Sequence, residues 1–206
     1  MPDRAFKLEG MHLNHEIDPR RPLFIAAVAG EAAALPHDAT TLITGIGTLN
    51  ATIALAEVLA RGPRPAAVIN IGTAGSLVDG YAGVYEITEV IKHDFDTSAI
   101  EQITGRPFPN ALALQQSGGP LPTARLATGD SFINDSLRRE KLARIAELVD
   151  MEGYAVAKTC QHFEIPVRLL KQVSDNANEE STGTWADAVA RGARELAQAV
   201  EELGLI

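Results

Sequence analysis

The chain has 206 residues, a single cysteine, and 27 acidic against 18 basic residues, for a formal charge of −9. That length suffices for one α/β domain whose core needs no disulfide staples. The acidic balance excludes a surface built to neutralise nucleic-acid phosphates, and no stretch reaches the length of a membrane-spanning helix.

Residues 1–20 read as a lead-in that is poorly ordered or packed on an edge. Arg20 and Arg21 precede the apolar run 23–29 in a superficial likeness to a twin-arginine export signal, but Glu31 follows at once and the run is needed as a strand. Thereafter apolar runs rich in Val and Ile alternate with segments of helical period, the pattern of an α/β sheet covered on both faces. Strands are expected at 23–28, 41–46, 67–71, 84–91, 125–128, 148–149 and 167–173. Helices are expected at 50–60, after a Gly-x-Gly turn, and at 135–147, 152–163 and 185–203. The last repeats apolar residues at Trp185, Ala188, Val189, Gly192, Leu196, Ala199, Val200 and Leu203, one stripe that must pack on the sheet. Residues 93–123 break the rhythm with glycines and prolines and read as a loop-rich insertion serving as a lid, binding loop or subunit contact. Residues 21–206 are expected to form a single domain. Cys160 sits within an apolar helical pattern and reads as a buried, inert thiol, which fits a reducing, cytoplasmic location.

Several constellations carry chemistry, each with a plainer alternative. Gly72-Thr73-Ala74-Gly75-Ser76 follows an apolar strand, where glycines let backbone amides approach a ligand, or where they make a tight turn. Glu152 falls at a helix start, where free amides favour an ionised carboxylate able to accept two hydroxyl protons, such as those of a ribose diol; it could equally serve only its own helix. Asp175 ends a strand at the edge where open α/β sheets place ligands, with Ser174 beside it to orient the carboxylate, or it caps the next turn. Glu31 also follows a strand. Three carboxylates at strand ends could converge on one crevice, and cleavage of a glycosidic bond calls for an acid at the leaving group and a carboxylate for the water. The histidines are scattered, and His93, Asp94 and Asp96 are too sparse for a ligand set, so no metal is expected; nor is a cofactor, because proton transfer and charge stabilisation suffice for such a cleavage.

Taken in order, Glu31, "INIGTAGSL" (69–77), "KHDFD" (92–96), "ATGDSFIN" (127–134), "VDMEGYAVA" (149–157) and "VSDNANEES" (173–181) resemble the nucleoside phosphorylase/nucleosidase superfamily, most closely the methylthioadenosine/S-adenosylhomocysteine nucleosidases. The resemblance implies a three-layer α/β/α fold around a mixed sheet, a homodimer, and a purine nucleoside as substrate. It further implies that Asp175 protonates the purine with Ser174 orienting it, that Glu152 binds the ribose hydroxyls over Met151, and that Glu31 activates the water. Phe132 would stack on the base, Ile133 would offer backbone hydrogen bonds to it, and Thr73 would lie near sugar and water. Trp185, Val28 and Ile46 would border the 5′ group.

Family phosphorylases hold phosphate with a Gly-Asp-Pro loop and an Arg ahead of the Gly-Ser turn. This chain has Gly30-Glu31-Ala32 and Asn70 at those places, which favours water as nucleophile. Arg125 or Lys171 could compensate, so a phosphate-dependent phosphorylase stays open, as does a nucleoside-binding protein without catalysis. Lys171 stands where nucleosidases more often carry Arg, a change in fork geometry.

Overall fold

The computed structural model describes residues 11–206, apart from the side chains of 182–187. In chain order the elements are β1 (His12–Leu13), β2 (Pro22–Ala26), a 3₁₀ turn (Ala29–Ala32), β3 (Thr41–Ile43), α1 (Thr48–Arg61), β4 (Ala67–Ser76), β5 (Val84–Lys92), α2 (Thr97–Thr104), β6 (Ala111–Ala113), β7 (Thr123–Thr128), α3 (Ser136–Leu142), β8 (Leu148–Asp150), α4 (Gly153–Phe163), β9 (Val167–Asp175) and α5 (Ser181–Glu202).

The strands form one mixed sheet. β2 lies between β3 and β4, parallel to both, and β1 adds antiparallel to β3 at the edge, so the described end of the lead-in packs on an edge. β9 runs parallel to β4 from Val68 to Gly75 and antiparallel to β5 near Val84, while β8 joins β4 antiparallel at Gly75 and Ser76 and β7 in parallel. With β7 parallel to β5, the strands β4, β9, β5, β7 and β8 close a circuit.

Strand alternation sorts the core into layers. Leu23, Ile25 and Val68 face Ala51, Leu55 and Leu59 of α1 and Val156 and Cys160 of α4, whereas Phe24, Ala26, Ile69 and Ile71 face Leu196 and Val200 of α5. This is the expected α/β/α arrangement, and the α5 stripe buries Ala188, Val189, Leu196, Ala199 and Val200 against the sheet. Burial pushes the Cys160 thiol up to about 12, so it stays protonated and unreactive.

Three expectations change. The 72–76 segment is not a turn: it continues β4, because β9 and β8 pair with it on either side. Its glycines serve close approach, since a Cβ on Gly72 would lie 3.2 Å from both Glu31 Oε1 and Lys171 Nζ. The 93–123 insertion contains α2, started by Asp96 accepting from the Ala99 amide and ended by Gly105 at φ 65°, and β6, which pairs with β5. The 135–147 helix stops at Leu142, because the chain must turn to feed β8 and Glu147 folds back to take Arg125 in a fork of hydrogen bonds.

Leu196 is fully buried on the α5 stripe and Arg194 on the same helix is exposed. Leu196→Ala should cost about 2–5 kcal/mol in denaturant unfolding and Arg194→Ala less than about 0.5 kcal/mol; equal losses would contradict the packing of α5 described above.

Candidate active site

Glu31 is held in a cradle of backbone donors. The 3₁₀ turn after β2 swings its side chain back over the strand end, and its Oε2 accepts from the Ala27 amide at 3.0 Å and the Val28 amide at 3.3 Å. Its Oε1 accepts from both the amide and the hydroxyl of Thr73, at 2.8 and 3.0 Å. Glu31 is 4% exposed, so these donors replace the water a buried carboxylate would otherwise lose.

Asp150, at the end of β8, is fully engaged. Its Oδ1 accepts from the Thr128 hydroxyl at 2.6 Å, and its Oδ2 accepts from the Gly153 amide at 2.8 Å and pairs with Lys171 Nζ at 2.9 Å. Thr128 Oγ1 in turn accepts from the Tyr154 amide at 3.0 Å. The first amides of α4 are thus served by Asp150 and Thr128, and Glu152 at the N-cap makes no capping bond of its own. Its carboxylate is left to face the cavity, where Oε1 accepts from the Gly47 amide at 2.7 Å.

The expected ionised state of Glu152 is corrected here. Burial, and then the nearby charge of Asp150, push its carboxyl up to about 8 against the pull of Lys171 and the Gly47 amide. The helix amides that would favour an ionised Glu152 are taken by Asp150 and Thr128 instead. For Lys171, burial favours the neutral amine, yet Asp150, Glu152 and Glu31 outweigh it and raise the ammonium above its usual value.

Asp175 closes the other side. The Ser174 hydroxyl donates to Oδ2 at 2.7 Å and the Ala177 amide to Oδ1 at 2.8 Å, so Asp175 also caps the turn that follows. Ala177 is buried in the left-handed region at φ 50°.

Glu31, Ile46, Thr73, Phe132, Ile133, Met151, Glu152, Ser174 and Asp175 all line one cavity of about 320 Å³, a size suited to a small-molecule ligand. β8 runs against β4, so its carboxyl end turns Glu152 back toward Thr73. Val28 does not line the cavity; it acts through its amide on Glu31. The Trp185 side chain lies outside the described residues. The sequence marks Asp150 only as part of the acidic cluster with Glu152, without a role of its own, and gives none to Thr128 or Gly47, whose contacts are long-range. Among the described residues no group of three or more His, Cys, Asp or Glu side chains is placed to hold a metal ion, and no helix is long and apolar enough to cross a membrane.

A family model described as the phosphorylase superfamily matches residues 35–204. The chain is 33% identical to a 5′-methylthioadenosine/S-adenosylhomocysteine nucleosidase of Geobacillus thermodenitrificans, covering 95% of this chain and 92% of the relative. It is 32% identical to the protein of that name from Shewanella sediminis, over 86% of each. Among solved structures, the nucleosidase of Neisseria meningitidis in complex with methylthio-immucillin-A superposes with a TM-score of 0.79 at 22% identity, covering 90% of this chain and 99% of that one, a likeness of fold.

The raised carboxyl of Glu152 has a sign. From its ordinary 4.5 up to about 8 the folded chain holds a proton that the unfolded chain gives up, so stability is full at low pH and falls as pH rises through that window. Glu152→Gln should therefore gain stability over wild type at about pH 8 relative to about pH 5, read as the difference in Tm; a difference independent of pH would contradict the burial of a neutral Glu152.

Proposed function

Because the chain belongs to the phosphorylase superfamily, we propose that it is a nucleosidase, hydrolysing the bond between ribose and base in a purine nucleoside such as 5′-methylthioadenosine or S-adenosylhomocysteine. The observation that carries hydrolysis rather than phosphorolysis is the cradle of Glu31. The Ala27, Val28 and Thr73 amides, which could receive an anion, are taken by the chain's own carboxylate, and a phosphate would meet its charge. The cations that a phosphorylase could recruit are engaged elsewhere: Arg125 with Glu147 and Lys171 with Asp150. The names of the relatives support the substrate class.

On this reading the base stacks on Phe132 at the cavity wall and meets the backbone of Ile133, while the sugar lies over Met151 with its hydroxyls on Glu152. Asp175, aligned by Ser174, delivers a proton to the purine ring as the bond from the sugar to the base nitrogen breaks and its electron pair stays with the base. Water held by Glu31 adds to the anomeric carbon and gives up a proton to the Glu31 carboxylate, releasing free base and free sugar. A carboxylate ringed by four donor contacts stays fixed while charge develops on the sugar. A non-catalytic binder would have no need of an acid and a water-activating base on opposite sides of one cavity.

A homodimer is part of this reading. Its support is the apolar rim beside the cavity mouth, where Leu49 is 69% exposed, with Ile46, Ile53 and Phe132 also exposed. A cytoplasmic location accords with the single buried, protonated thiol of Cys160.

Asp175→Asn keeps the shape and, through its amide oxygen, the contact from the Ala177 amide, but its nitrogen cannot accept from the Ser174 hydroxyl and it cannot deliver the proton, so turnover of 5′-methylthioadenosine should fall at least about a hundredfold with the fold intact by circular dichroism. A variant within a few-fold of wild type would remove Asp175 from the role of acid.

A further inference from the structure

Beside the cavity runs a strap of backbone, Gly45-Ile46-Gly47-Thr48, that leads into α1. Both of its glycines have positive φ, 82° and 100°, and Gly47 at φ 100°, ψ 156° is in a region that only glycine occupies readily. Ile46 between them lines the cavity. Gly47 is the N-cap of α1 and has no side chain with which to hold the first amides of the helix. Those amides are served from across the site. The Gly47 amide donates to Glu152 Oε1 at 2.7 Å, and the next amide, Thr48, donates to Asp130 Oδ1 at 2.7 Å, with the Thr48 hydroxyl on Asp130 Oδ2 at 2.5 Å. Two consecutive amides of the strap are therefore clamped by the carboxyl groups of two different loops.

Asp130 is itself held. Its amide donates to Asp94 Oδ2 at 2.9 Å, Lys92 Nζ pairs with Asp94 Oδ1 at 2.5 Å, and the same ammonium is 3.7 Å from Asp130 Oδ2. Partial burial raises the Asp130 carboxyl, but the hydroxyl and amide of Thr48 outweigh it and leave the group below its usual value, so it is ionised. The residues that follow Asp130 are Ser131, Phe132 and Ile133, the cavity wall on the base side.

We infer that Asp130 is a positioning residue for nucleoside binding: through Thr48 it pins the Gly45–Thr48 strap, and thereby fixes both the Gly47 amide on Glu152 and the Ile46 wall, to the loop that carries Phe132 and Ile133. The inference rests on the reading of Glu152 as the sugar-binding residue. Asp130 touches no reacting atom. Releasing it loosens the strap, frees Glu152 Oε1 from its fixed donor, and weakens the grip on the sugar while leaving the proton donor Asp175 and the Glu31 cradle in place.

The test combines kinetics on 5′-methylthioadenosine with amide hydrogen exchange in Asp130→Ala, Thr48→Val, Thr48→Ser and the Asp130→Ala/Thr48→Val double variant. Asp130 is half exposed, which discounts a charge-assisted bond, so KM should rise about 5- to 20-fold in Asp130→Ala and Thr48→Val with kcat within about threefold. Thr48→Ser should restore the wild-type KM, and the double variant should be no worse than the poorer single variant. Exchange at the Gly47 and Thr48 amides should quicken at least about tenfold in Asp130→Ala. An unchanged KM, multiplicative effects in the double variant, or unchanged exchange would overturn the inference. A wild-type chain that releases no base would instead refute the nucleosidase reading, and exchange would still decide the clamp: quicker at Gly47 and Thr48 upholds it, unchanged overturns it.

Discussion

The buried pairing of Lys171 with Asp150 is the constraint on which the site depends. Both side chains are 1% exposed, and the desolvation of each is offset only because they meet at 2.9 Å and Asp150 takes two further donors. Without the ammonium, Asp150, Glu152 and Glu31 would face one another around one cavity with no cation between them. With it, Asp150 is paired and hydrogen-bonded, the Glu152 carboxyl is pushed up to about 8 by burial and the nearby Asp150, and Glu31 is held by backbone donors. Three carboxyl groups in one cavity thereby sit in three different settings without a metal ligand set among the described residues.

The sheet topology delivers this arrangement. β4 is long enough to pair with β9 along most of its length and with β8 at its end, and Gly72, near the crossing, is where Glu31 and Lys171 come within 3.2 Å of the space a Cβ would take. An alanine there would press on both charged groups at once. Because Asp150 and Thr128 serve the first amides of α4, Glu152 is released from its helix and available to the cavity. On the other side, the Ser174 hydroxyl and the Ala177 amide fix Asp175, with the strained Ala177 packed close to Gly75.

The sheet and its covering helices were legible because their signals are local: apolar runs at 23–28 and 167–173 that bury Leu23, Phe24, Ile25, Leu169 and Leu170, and an apolar stripe along α5. The carboxylates of the cavity were legible from their places after strands and from the ordered motifs. What escaped depended on distant partners or on signals outvoted by composition. The strand at 72–76 has two glycines and no β-forming run, and is held by neighbours on both sides. The helix α2 hid among glycines and prolines although Asp96 and Gly105 marked its ends. The protonation of Glu152 needs its burial and Asp150 together, and the tie between Asp130 and Thr48 spans 82 residues.

The central claim is that the cradle of Glu31 commits this cavity to water. It is tested most directly by incubating the purified chain with 5′-methylthioadenosine, with and without inorganic phosphate, and separating the products by chromatography. The account predicts free adenine and free 5-methylthioribose at a rate indifferent to phosphate; a sugar 1-phosphate formed only when phosphate is present would contradict it.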